Sequence, residues 1–102
     1  MKIFRPKLQN LMSLIKDAVK SGRYIISNHA YQRLRDRQVS VPQLEHVLSK
    51  GFHEEKKDKF DFKYNSWNYS ICGFTPERRK VRIIVSFEEM DLVIVTVINL
   101  DN

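Results

Sequence analysis

Apolar residues recur at helical spacing in the first half of the chain and alternate in the second, so the sequence predicts helices followed by strands. Leu8, Leu11, Met12, Ile15 and Val19 fall on one helical stripe, and Ser21-Gly22 supplies a stop, which predicts an amphipathic helix over residues 8 to 21 or so. Arg23-Tyr24-Ile25-Ile26 is a short β-prone run that delivers the chain to Ser27, a natural N-cap. From Asn28 to about Gln38 the residues favour helix, with Ala30, Tyr31 and Leu34 on the apolar side. Ser40-Val41-Pro42-Gln43 has the form of a capping box with proline in the first turn, and the stripe of Leu44, Val47 and Leu48 ends at Gly51.

Beyond Gly51 the period changes. After a charged stretch from His53 to Lys59, Phe60, Phe62 and Tyr64 alternate with Asp61, Lys63 and Asn65; Trp67, Tyr69 and Ile71 then alternate with Asn68, Ser70 and Cys72. Phe74 to Arg79 reads as a polar turn. Val81 to Phe87 and Leu92 to Asn99 are apolar on both faces, as expected of strands in the middle of a covered sheet, and are joined around Glu88-Glu89-Met90-Asp91. The predicted fold class is α+β. Two to three N-terminal helices over about residues 8–51 pack on an antiparallel sheet of about four strands over about residues 60–100, in a single domain spanning 1–102.

Composition narrows the class of partner. With 42% hydrophobic and 29% charged residues, 3 Gly and 3 Pro, the chain has the make-up of a folding domain and not of a disordered one. No apolar run approaches the roughly 20 residues that span a bilayer. The start from Met1 to Pro6 lacks the apolar stretch of a secretory signal, and the single cysteine, Cys72, cannot form an internal disulfide. The expected compartment is therefore the cytoplasm, with no membrane association. A net charge of +6, from 18 Lys and Arg against 12 Asp and Glu, attracts polyanions, and makes nucleic acid the first partner to consider.

His29, Arg33 and Arg37 are successive i, i+4 neighbours on the helix after Ser27, so they form one ridge bordering the apolar side. Two guanidiniums beside an imidazole repel unless an anion joins them; Asp36 is one such partner and a phosphate would be another. A solvated basic face with a histidine bracing nearby backbone is the structural alternative. His46 and His53 have no ligand-like spacing with His29 or Cys72, and no glycine-rich phosphate loop is present, so neither a metal site nor a cofactor is expected.

Ser27-Asn28-His29-Ala30 followed by Arg33 and Arg37, Val39-Ser40 opening a helix with Val47-Leu48, and then Lys50-Gly51 resembles the S-x-H-A-x-x-R-x-x-E/D-R pattern of a small bacterial family of unknown function. That family is regarded as similar to RelE-like and MqsR-like toxin ribonucleases of the barnase/EndoU/colicin/RelE fold. The resemblance runs over about residues 20 to 100 and includes the strand patterns V-R-I-I-V at Val81 to Val85 and V-I-V-T-V at Val93 to Val97. One departure is Gln38, where the family usually has glycine.

The resemblance implies a toxin-antitoxin endoribonuclease that cleaves RNA without metal by attack of a ribose 2′-OH on the adjacent phosphate, normally held in check by an antitoxin protein. Such chemistry needs a proton donor and acceptor and cations for the extra phosphate charge. His29 would move protons, since imidazole titrates near about pH 6.5, and Arg33 and Arg37 would clamp phosphate in guanidinium forks. Arg82 and Thr96 join the catalytic candidates as the polar interruptions of the two most apolar strands. A cross-strand salt bridge is the alternative for Arg82 and a backbone hydrogen bond for Thr96. They share a face only if a one-residue slip enters the last hairpin, as in a three-residue loop; a two- or four-residue loop sets them on opposite faces. Arg78, Arg79, Lys80, Lys63 and Tyr64 are candidate RNA contacts, with Lys56, Lys57 and Lys59 as a further basic run and Trp67 and Tyr69 as possible stacking rings. The competing expectation is a non-catalytic module of the same fold that binds RNA or an acidic protein.

Overall fold

The computed structural model describes residues 5–89 and 91–101; the first four residues and Met90, read as part of the last turn, lie outside them. Helix α1, Leu11–Ser21, buries Leu11, Ile15 and Ala18 and ends at Gly22, whose φ of 72° is the left-handed cap that glycine adopts without strain. Leu8 does not extend its stripe. The backbone N–H of Leu8 donates to the Tyr69 hydroxyl at 2.9 Å, which ties this residue to the sheet ahead of the helix and leaves it 38% exposed.

Strand β1, Tyr24–Ile26, leads into α2, Asn28–Arg37, where the Ser27 hydroxyl accepts from the Ala30 N–H at 3.0 Å as an N-cap should. Ala30 and Leu34 are the buried side of α2; Tyr31, expected with them, is 51% exposed. Helix α3, Val41–Lys50, opens on the reciprocal capping box. Gln43 N–H donates to Ser40 Oγ and Ser40 N–H to Gln43 Oε1, at 3.2 and 2.9 Å.

Gln38 closes α2 at φ 55°, ψ 46°, the left-handed conformation that costs a residue with a Cβ roughly 1 kcal/mol. Glycine in its place relieves that cost, and because the Gln38 side chain is exposed little packing is lost. Gln38→Gly is therefore expected to raise stability by up to about 1 kcal/mol, read as a higher melting temperature; an unchanged or lower value would show that unfolded-state entropy cancels the gain.

The remaining chain forms β2 (Phe52–His53), a single 3-10 turn (Glu55–Lys57), β3 (Lys59–Asp61), β4 (Ser66–Phe74), β5 (Lys80–Glu88) and β6 (Asp91–Asn99). Strands β3 to β6 are the four expected antiparallel strands, but β3 stops at Asp61: residues 62–65, whose alternation was read as strand, form the turn into β4, where Asp61 Oδ1 accepts from the N–H groups of Lys63 and Tyr64. Two short strands add to them: β2 beside β4, and β1 beside β6 in parallel, giving a mixed six-stranded sheet of order β1-β6-β5-β4-β2 with β3 also on β4.

All three helices bury one face of this sheet. Ile15, Leu44 and Leu48 close on Ile71, Ile83, Val85, Leu92, Ile94 and Val97, each large aliphatic stabilising the fold by about 1.5–3 kcal/mol through loss of water contact. The second face of β5 and β6 was expected to be covered as well, but it carries Arg82 and Ser86 among its aliphatic residues, and Ile84 and Ile98 line an open cleft. No helix among the described residues is long and apolar enough to cross a membrane.

Candidate functional site

The site begins with an irregularity in β6. From Glu88 opposite Asp91 the hairpin pairs regularly as far as Val85 opposite Ile94; the next pair is Ile84 with Thr96, so Val95 is an extra residue, a β-bulge. The loop itself has two residues, which alone would put Arg82 and Thr96 on opposite faces. The bulge supplies the missing one-residue slip, and both residues now lie on the face away from the helices, Arg82 opposite Ile98 and Thr96 opposite Ile84.

Helix α2 is stitched to this bulge. Ser27 N–H donates to the carbonyl of Ile94 and the Ser27 hydroxyl to that of Val95, both at 3.2 Å. The chain that pairs with β6 as β1 thus turns into helix beside Thr96, and α2 packs chiefly on β6 from there. His29, in the first turn, brings Nε2 to 3.2 Å from Thr96 Oγ1. The Thr96 hydroxyl is therefore tied to an imidazole.

The open face forms a cleft in two parts that share Asn68. One part, of about 520 Å³, has Ser70, Arg82, Ile84 and Ile98 on its floor and Lys56, Lys57 and Lys59 on its rim. The other, of about 270 Å³, lies beside His29 and is lined by Asp61, Tyr64, Ser66, Ser86, Glu88, Val93 and Val95. The lysines project here because the chain between β2 and β3 leaves the edge of β4 and returns. Glu54 N–H donates to the Ser70 carbonyl, and Ser70 N–H to Asp58 Oδ1, which pins both ends of the excursion.

Arg82 is not a free cation. Its Nε and Nη2 donate to the two carboxylate oxygens of Glu54 at 2.6 and 3.0 Å, a bidentate pair, and Ser70 Oγ donates to the same carboxylate at 2.7 Å. The guanidinium hydrogen bond, helped by Ser70 and opposed by burial, holds the Glu54 carboxyl down at about 2, and Glu54 in turn raises the Arg82 pKa. The salt bridge that stood as the alternative for Arg82 is thus formed, but with Glu54 from outside the paired strands, a residue in a charged run with no periodic signal to mark it.

The other candidates separate. Arg33 pairs with Asp36 at 3.5 Å, and neither Arg33 nor Arg37 lines the cleft; they continue the ridge away from His29, with Arg37 about 12 Å further along the helix. Arg79 clamps the end of α2, donating from Nη1 to the Arg37 carbonyl at 3.0 Å and from Nη2 to the carbonyl of Gln38 and to Gln43 Oε1. A cation on orphan helix-end carbonyls is a structural use of that side chain. Arg78 sits exposed in the same β4–β5 turn at φ 69°, and Lys80 begins β5, both away from the cleft. Tyr64 lines the cleft beside His29, with the Lys63 ammonium 5.3 Å from its ring.

His53, read as part of a charged loop, is held instead. Its Nε2 lies 2.6 Å from Oδ2 of Asp58, a fully buried carboxylate that also accepts from Lys7 Nζ at 3.1 Å. Cys72 is buried, and burial raises the pKa of its thiol, as befits a core residue more than a nucleophile. Among the described residues no three His, Cys, Asp or Glu side chains converge as metal ligands. Asn68 and Ser70 on the cleft were missed as site residues because alternation marks them only as the polar face of a strand, and Ser86 because a small serine in a strand read as apolar on both faces carries no further signal.

Neither a curated protein nor a solved structure matches this chain. Residues 26–99, which run from the last residue of β1 through the bulge, His29 and the whole cleft, match a family described as Domain of unknown function (DUF4258). The chain belongs to the DUF4258 family.

Proposed function

We propose that the cleft binds single-stranded RNA and that the protein cleaves it, without metal, by attack of a ribose 2′-OH on the neighbouring phosphate, in the manner of the RelE-like and MqsR-like toxins. The observation that carries this reading is the His29–Thr96 contact in a cleft whose adjoining part is rimmed by three lysines. His29 exchanges the proton, and Thr96 orients the imidazole. Lys56, Lys57 and Lys59, with Arg82 behind them, hold the phosphates that flank the reacting one. Arg33 and Arg37 extend the positive track along α2 and Tyr64 offers a ring for stacking. In this role the protein works in the cytoplasm, and an antitoxin would silence it by covering the lysine rim.

A second reading, RNA binding without cleavage, is favoured by one observation: the Arg82 fork is already filled by Glu54, which leaves less unpaired positive charge for a transition state. Purified protein incubated with unstructured RNA in the presence of EDTA separates the two. Cleavage is expected to give fragments with 5′-hydroxyl and 2′,3′-cyclic phosphate ends. RNA that is retained by the protein but stays intact, both in EDTA and, with ribosomes added, in magnesium buffer, would establish the binding module instead.

A further inference from the structure

The two parts of the cleft differ in sign. Lysines rim the first, whereas the part beside His29 is lined by two carboxylates, Asp61 and Glu88, with no Lys or Arg among its lining residues. Close to these two carboxylates a phosphate is disfavoured, and a neutral group rich in hydrogen-bond donors is attracted. Resting on the RNA-cleaving reading above, we infer that this part is a nucleobase subsite selective for guanine, placing the phosphate that follows the base beside His29.

Three features build such a subsite. The Asp61 carboxylate is pre-set, because Oδ1 accepts from the N–H groups of Lys63 and Tyr64 at 2.9 and 3.2 Å, while Oδ2 carries no hydrogen bond from the described residues. Ser86 is 5% exposed and lines the cavity, and its hydroxyl bonds to no described residue; it is not among the fully enclosed unpaired atoms, so its oxygen opens into the cavity, where it can bond a ligand. Val93 and Val95 give an apolar floor, and the largely exposed ring of Tyr64 gives a stacking surface, so a flat group is favoured over a sugar or a phosphate.

Among the bases guanine fits a carboxylate best. Its N1–H and N2–H groups are adjacent, parallel donors that match the two oxygens of one carboxylate or one oxygen from each of Asp61 and Glu88. Adenine and cytosine offer a single amino group next to an acceptor, and uracil one N–H between two carbonyls, which would face the carboxylates with like partial charge. Since Asn68 belongs to both parts of the cleft, a strand with its base beside Asp61 continues directly onto the lysine rim.

The test uses uncleavable 2′-O-methyl RNA tetramers that differ at one position, with affinity read by fluorescence anisotropy at fixed salt. The guanine oligomer is expected to bind about tenfold to a hundredfold tighter than the other three, the discrimination typical of one bidentate base contact. Asp61→Asn should erase that preference while the other three bind at least as well as before, and Glu88→Gln, at an exposed strand end, checks the same point where Asp61→Asn fails to fold. Equal affinity of the wild type for all four would overturn the guanine subsite and leave the RNA-binding reading standing. Failure to bind any of them at low salt would remove both.

Discussion

Replacing His29 with alanine is expected to lower RNA cleavage by about two to four orders of magnitude, the usual contribution of a general acid or base, while leaving the melting temperature nearly unchanged. His29 is exposed and, among the described residues, its side chain hydrogen-bonds to Thr96 alone, so its loss costs at most about 1 kcal/mol of stability. Retained RNA affinity with lost cleavage would assign it to proton transfer. A large drop in melting temperature with cleavage preserved would instead make it a brace between α2 and β6. Thr96→Val gives a further check. If Thr96 works by orienting the imidazole, its removal should slow cleavage in the wild type and change nothing more in the His29→Ala background, because two groups that act as a unit are not additive.

The helices were readable because their signals are local. Ser27 caps three residues on, and Ser40 and Gln43 complete a box within one turn, so both ends could be placed from neighbouring residues alone. The ridge of His29 was readable for the same reason, but not what it faces. That depends on the extra residue Val95, which no glycine or proline announces, and on β1 pairing with β6 across some seventy positions of sequence, which sets α2 beside Thr96. Arg79 and Arg82 show the same limit from the other side. Both read as cations for RNA, yet their partners, the α2 carbonyls and Glu54, are 28 or more residues away and come near only through the fold. A charge run reports composition; whether each charge is free is settled by tertiary contacts.

Glu54 is the place where stability and binding are expected to move in opposite directions. Its folded pKa, about 2, lies below the ordinary 4.5, so its contribution is fully present above about pH 4.5 and is lost as pH falls through about 2. A shift of that size corresponds to about 3 kcal/mol at most, and both side chains are mostly buried, 15% exposed for Glu54 and 20% for Arg82. Glu54→Gln is therefore expected to cost about 2–3 kcal/mol near neutral pH, since it leaves the Arg82 charge without its counter-ion, and to flatten the acid limb of the stability profile between pH 4.5 and 2. The same change makes the cleft one unit more positive. If Arg82 lies against the RNA backbone, the variant should bind more tightly at low salt, with the slope of log affinity against log salt steeper by about 0.7, the release expected for one more neutralised phosphate on a single strand. An unchanged slope alongside the stability loss would mean that Arg82 serves Glu54 and Ser70 as scaffold, and that the lysine rim alone meets the phosphates.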